Sequence, residues 1–296
     1  IVLEANAPLY GRARELMKIE PLKPAYIAQA FPHESAHAQL EKYLCFGGAP
    51  YYWELAIQNN MNIDETIDYS VLNPLGPLHN EPEKLIVEQT PGYAAIRPVL
   101  DAIGLGAHRA SEIAGRVGKP VTSLSKVIQA LVEQGMVERE IPFGESEKSS
   151  KKSLYRISDP FYHLWFQIVA PRKLFLAKAP QQARIALWRE QKKRVISQSW
   201  EALCRLSVPY LAADSFGGPA GSPWGVAGRY WEPRGYEWDV VAHTLDGKNL
   251  LLGEAKWSAD SVKKKDLEKW TTQLLSKGRP KFVKQDCPVI RTLFIT

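Results

Sequence analysis

Four ionisable residues near the C-terminus, Glu237, Asp239, Glu254 and Lys256, have the types and spacing of a hydrolytic site. Between them Asp246-Gly247, flanked by apolar runs, is a strong hairpin signal. A turn centred on that dipeptide sets Asp239 opposite Glu254 and Glu237 opposite Lys256. The two-residue alternation of strands then brings three carboxylates and an ammonium onto one face of the sheet. Directly opposed carboxylates repel unless something neutralises them, and a divalent cation such as Mg²⁺ or Mn²⁺ does so. The Ala255 carbonyl is a further oxygen within reach. Lys256 beside such a metal could orient or deprotonate a water and stabilise developing charge. The same residues also read more plainly, as a cross-strand Glu237–Lys256 ion pair beside a solvated Asp239.

The elements that must position these groups follow the order α-β-β-β-α-β. Strands are expected over Val226–Trp231, Glu237–Leu245, Asn249–Glu254 and Val289–Thr296, with helices over about 195–212 and 260–277. In that order, Asp239 followed after a hairpin by Glu254-Ala255-Lys256 resembles the D…ExK signature of the PD-(D/E)XK nuclease superfamily. The resemblance implies a catalytic set of Asp239, Glu254 and Lys256, with metal held by Asp239, Glu254 and Ala255. It adds Glu201, on the preceding helix, where many members carry a further acidic residue. The basic helix that begins at Lys263, Lys264 and Lys265 would hold a DNA backbone.

Upstream, residues 91–158 read as a winged helix-turn-helix. Ile96, Val99, Leu100 and Ile103 share a helical face, Ala110–Val117 forms a short helix closed by Gly118, and Thr122 or Ser123 caps a third. A strand over Met136–Ile141, a polar tip and a return strand over Leu154–Ile157 complete the wing. Thr122, Ser125, Lys126 and Gln129 would face a DNA groove, and Lys151 and Lys152 would lie on the wing. Only Lys126 is basic on that helical face, and winged helices also dock proteins, so both partners stay open at this point.

The first ninety residues carry six Lys/Arg against twelve Asp/Glu. Short extended runs at Ile1–Leu3 and Glu15–Leu22, with a turn at Pro8–Arg12, precede helices expected over 36–46, 49–70 and 81–90. Residues 159–194 form a helical bridge dense in aromatic side chains, a pattern of packing. Basic residues concentrate in two blocks, eight against one acid over 172–194 and eight against three over 260–284. Such blocks suggest a polyanionic partner or, equally, solvated helix faces.

Composition sets the class. At 296 residues, 45% hydrophobic and 24% charged, the chain has room for two or three packed domains and is not fibrous or disordered. No apolar run reaches the length of a membrane-spanning helix, no secretory signal is visible, and three scattered cysteines form no metal or disulfide framework. A cytoplasmic location is the expectation.

Four separated motifs resemble archaeal and bacterial AAA+-type ATPases of the STAND-related branch. They are Pro8-Leu9-Tyr10-Gly11-Arg12, the run Leu44–Tyr52 around Gly47-Gly48-Ala49-Pro50, Tyr155–Phe161, and Gly253-Glu254-Ala255-Lys256-Trp257. The resemblance implies a multidomain α/β protein. Residues 1–90 would be the end of an ATPase core and a helical lid remnant, 91–158 the winged helix, 159–194 the bridge, and 195–296 the nuclease-like mixed-sheet domain. No P-loop occurs here, so this chain is expected to hold no ATP site.

Overall fold

Ser35 opens the first long helix by accepting the Ala38 N–H on its hydroxyl, at 3.2 Å. In the computed structural model, which describes residues 19–296 except 60, 90–91, 147, 149–151, 217–221, 234 and 285, a single turn α1 (Ile27–Ala30) precedes that helix, α2 (Ala36–Phe46). The expected Ile1–Leu3 strand and Pro8–Arg12 turn, the first half of the Glu15–Leu22 run, and Lys151 lie outside the described residues.

The stretch expected as one helix over 49–70 is divided. After α3 (Pro50–Asn59) the chain restarts at Asn62, whose side chain caps Glu65 N–H at 3.0 Å while Glu65 caps the Asn62 N–H at 3.1 Å. This capping box begins α4 (Ile63–Ile67), and a π-type turn over Asp68–Leu72 continues it. Next come α5 (Glu81–Gln89), α6 (Tyr93–Gly104), α7 (Ala110–Val117) and α8 (Val121–Glu133). The expected cap at Thr122 or Ser123 is displaced: α8 starts at Val121 behind Pro120, and Ser123 Oγ donates back to the Pro120 carbonyl at 2.7 Å. Strands β1 (Val137–Glu140) and β2 (Leu154–Ile157) pair antiparallel from Val137↔Ile157 to Glu140↔Leu154, which completes the expected helix–helix–helix–hairpin order.

Asp159 then caps α9 (Pro160–Leu164), accepting the Tyr162 N–H at 2.9 Å. Helical turns over 165–172 lead through α10 (Lys173–Leu176) to α11 (Gln181–Ser207), 27 residues long. The boundary drawn at 194/195 therefore falls inside one helix. Buried side chains from Ile27 to Ile196, joined by Trp257 after β5, make a single apolar cluster, so the N-terminal helices, the winged helix and the bridge share one core. Phe161, Trp165, Phe166 and Trp188 are fully buried within it, in keeping with the packing role expected of the aromatic bridge.

Charge organises the same union. The basic run over 172–194 faces the acidic N-terminal helices: Arg184 forks onto Asp68 (2.8 and 3.1 Å), Lys192 bridges Glu41 (3.1 Å) and Asp64 (3.0 Å), and Lys173 pairs with Glu83. For that block a polyanionic partner and a solvated helix face were equally expected. Four of its eight cations, Lys173, Arg184, Arg189 and Lys192, pair with this chain's own carboxylates, because the two oppositely charged segments fold against one another, while Lys178, Lys193 and Arg194 are exposed.

The C-terminal sheet has the order β3-β4-β5-β6, from β3 (Gly228–Trp231), β4 (Glu237–His243), β5 (Leu250–Lys256) and β6 (Val289–Ile295). The first three are antiparallel, while β6 runs parallel to β5 after the crossover helix α12 (Lys264–Ser276). One face packs Val240, Ala242, Leu251 and Ala255 against Cys204 and Val208 at the end of α11. The other packs Trp238, Val241, Leu250 and Leu252 against Leu274 of α12. The wing docks on the edge strand, where Phe143 N–H donates to the Arg229 carbonyl at 2.8 Å and the Phe143 ring meets His243 and Phe282. This is a multidomain α/β architecture in which helical segments outweigh two small sheets. Among the described residues no helix is long and apolar enough to cross a membrane.

Candidate functional site

The hairpin that carries the acidic residues forms as its turn chemistry demands. Gly247 adopts φ 71°, open to glycine at little cost, and Asp246 Oδ1 accepts from Thr244 Oγ1 (2.6 Å) and Lys248 N–H (3.1 Å). The register is the expected one, Val240↔Gly253 through His243↔Leu250.

Nearer the site β4 departs from simple alternation. Gly228 pairs with Val241 but Tyr230 with Trp238, so two steps of β3 span three of β4, and the extra residue lies at Asp239-Val240. This bulge puts Trp238 on the α12 face with Val241, while Val240 packs on the α11 face. Asp239 goes with it: Oδ2 accepts the Ala255 N–H at 3.0 Å, and its charge bears on Glu201 and Cys204 of α11. Glu254 lies instead beside Lys256, Lys277 and Trp238, on the α12 side. The expected convergence of three carboxylates on one face is thereby corrected, because uninterrupted alternation fails at the bulge. The alternative ion pair also fails to form. Glu237 pairs with Arg229 of β3, and Lys256 Nζ reaches Glu254 along its own strand at 3.1 Å.

The fit of this arrangement to a divalent cation follows from what its oxygens already touch. One Glu254 oxygen is on Lys256 and the other on Lys277, and Asp239 holds a backbone N–H. Ala255, whose carbonyl was the expected third ligand, lies in the parallel ladder opposite Phe294. Among the described residues no three His, Cys, Asp or Glu side chains form a group that could hold a metal. As the side chains stand, they do not fit Mg²⁺ or Mn²⁺.

Glu201 is the most perturbed carboxyl here, pushed up to about 7 by burial first and then by the charge of Asp239. A carboxyl raised in the folded state supports stability at low pH and withdraws that support as pH climbs from about 4.5 to 7, where only the unfolded chain ionises. Glu201→Gln is expected to match wild type near pH 4 and exceed it near pH 8 by on the order of 2 kcal/mol. Asp159, raised to about 6 by burial, and His163, held down to about 3 mainly by burial, add opposing slopes of their own. The difference between the two proteins in urea denaturation, across pH 4–8, isolates Glu201; parallel curves would refute the assignment.

Sequence reasoning missed the arginine cluster beside the site. Glu140 of β1, 9% exposed, meets Arg156 at 2.9 Å, Arg205 at 3.1 Å and Arg229 at 3.9 Å, from β2, α11 and β3. Arg205 also donates to the Asp239 carbonyl at 3.1 Å, and Arg229 pairs with Glu237, so both guanidiniums tie the wing to the bulged part of β4. Within the β1–β2 pairing Glu138 is opposite Arg156, which leaves Arg156 and Glu140 diagonal neighbours, a signal that was present in the hairpin. Nothing local in the sequence links either residue to α11 or β3.

The expected nucleic-acid contacts are placed as follows. Thr122, Ser125, Lys126 and Gln129 all lie exposed along α8. Lys152 is exposed but pairs with Glu145. Lys263 precedes α12, and Lys264 and Lys265 form its first turn with Asp266, all three lysines exposed.

Residues 165–269 match the DUF234 family model, described as archaeal and bacterial proteins of unknown function. A Methanocaldococcus jannaschii protein, named only as uncharacterized, is 26% identical over 287 residues, 94% of this chain. The chain spans 61% of that relative's length. No solved structure matches it.

Proposed function

We propose that this chain is a DNA-binding regulatory module, the C-terminal part of an ATPase of the AAA+/STAND type, whose nuclease-like sheet serves as a scaffold. The observation that carries the reading is where positive charge is left over. Half of the 172–194 block, Lys173, Arg184, Arg189 and Lys192, is matched by Glu83, Asp68, Asp64 and Glu41, whereas Lys263, Lys264, Lys265 and Lys269 stand exposed together at the start of α12. Among the described residues the nearest carboxylate to any of these four is Glu268, 3.9 Å from Lys264. Three lysines at a helix N-terminus oppose the helix dipole, an arrangement better suited to an anionic partner than to the isolated helix. Lys126 on α8 is a further exposed cation, within the outward row expected to face a groove.

Duplex DNA is expected to bind without divalent metal and to lose about 10²–10³ in affinity between about 50 and 200 mM salt, as released counterions require. Replacing Lys263, Lys264 and Lys265 together with Ala should flatten the log–log slope by about 2–3, and Lys126→Ala by about 1. Fluorescence anisotropy on the full chain measures both. Affinity that stays level across that salt range rules out the DNA partner, and a protein partner docked through the winged helix then becomes the object to seek.

A metal-dependent DNA phosphodiesterase is the second reading. It is favoured by the proximity of Glu201 to Asp239 on a bulged strand, where burial first and then the Asp239 charge raise the proton affinity of Glu201. It requires Glu254 and Asp239 to leave the contacts described above.

A further inference from the structure

The ends of β4 and β5 form a receptor for a cation, and the chain fills it with its own lysine. Glu254 is only 6% exposed. Lys277, at the C-terminal end of α12, places Nζ against Glu254 Oε1, donates to the Glu237 carbonyl at 2.8 Å and stands 5.1 Å from the centroid of the Trp238 ring. Carboxylate, carbonyl and aromatic face are the three groups that together recognise an ammonium. The backbone bearing Lys277 is fixed as well. Arg291 of β6 donates to the carbonyls of Leu275 (2.7 Å) and Lys277 (2.9 Å), and Trp238 Nε1 donates to the Gly278 carbonyl at 3.2 Å. A Cβ at Gly278 would come within 2.2 Å of the Tyr236 ring, so a side chain there would have to displace that ring. Lys256 covers the other Glu254 oxygen at 3.1 Å.

We propose that Lys277 is a tethered counter-cation at Glu254, occupying the position a divalent ion would need and keeping that carboxylate closed to Mg²⁺ and Mn²⁺. Two ammoniums already balance one carboxylate, so an incoming divalent ion meets net repulsion. With Lys277 neutral, Glu254 is balanced by Lys256 alone and that repulsion is lifted. Opening the site then means withdrawing the α12–β6 connection that carries Lys277. The inference concerns the sheet site alone and is independent of DNA binding.

Mn²⁺ binding followed by electron paramagnetic resonance on the full chain tests it. Lys277→Gln should bind Mn²⁺ at least about tenfold more tightly than wild type, while Lys277→Arg, which keeps the charge, should behave as wild type. Adding Glu254→Gln to Lys277→Gln should remove the gained site. Equal affinity in wild type and Lys277→Gln, whether tight or absent, overturns the proposal. If Lys277→Gln does not fold, limited acetylation of wild type read by mass spectrometry decides. Lys277 should react at least about tenfold more slowly than exposed Lys263–Lys265, and comparable rates overturn the assignment.

Discussion

Glu140→Ala is expected to lower the unfolding free energy by about 3–5 kcal/mol, the usual consequence of removing one partner from a buried ionic cluster. The size follows from what remains. Arg156, Arg205 and Arg229 have side chains 12–14% exposed, and all three converge on this one carboxylate. Without it their mutual repulsion is unrelieved in a site water reaches poorly, although Arg205 keeps the Asp239 carbonyl and Arg229 keeps Glu237. Because the three come from β2, α11 and β3, the loss also loosens the wing from the C-terminal sheet. Urea denaturation with separate probes for the two sheets would show the C-terminal transition moving with the wing. A loss under about 1 kcal/mol would mean that the arginines reach solvent and the cluster is electrostatically slack.

Trp188→Ala should have an effect of similar size, about 3–5 kcal/mol, by a different route. Trp188 is fully buried midway along the basic part of α11, and its Nε1 donates to Asp64 Oδ1 at 2.8 Å. Truncation opens a cavity between α11 and the N-terminal helices and leaves Asp64 with Lys192 (3.0 Å) and Arg189 (3.5 Å). Trp188→Phe separates the two contributions, since the ring volume is mostly kept and only the indole hydrogen bond is lost, at about 1 kcal/mol. Denaturation midpoints of the two variants should differ accordingly; coincident midpoints would assign the whole effect to Asp64.

The comparison of sequence with structure turns on how local each signal is. The Asp246-Gly247 turn carries its own conformational preference, and the β4–β5 register follows from it without help from any distant residue. Helix Ala36–Phe46 is legible for the same reason, with a Ser cap and a glycine stop in adjoining residues, and Ala110–Val117 is marked by its glycine stop at Gly118. The break within 49–70 was also readable, because Asn62 and Glu65 have capping-box spacing, but the apolar periodicity on both sides obscures it. The bulge at Asp239-Val240 was not readable. It is defined by pairing with β3 rather than by any residue of β4, and one extra residue there reverses which face Asp239 occupies. Lys277 was hidden similarly, being brought to Glu254 only by the α12 crossover. The basic run over 172–194 was recognised as charged, yet its partner lies more than a hundred residues earlier.

That separation governs the order in which the molecule can assemble. The acidic helices α2 and α4 leave the ribosome with Asp64, Asp68 and Glu41 lacking their cations and with an apolar face that α9 and α11 must cover. Their core cannot close before synthesis has passed Ile196 of α11, and Trp257 joins it later still. Contacts of such long sequence separation make for slow folding and a prolonged stage with exposed apolar surface. Nascent chains halted before α11 emerges should therefore stay protease-sensitive through the N-terminal helices, whereas those extended beyond it acquire protection there in a single step.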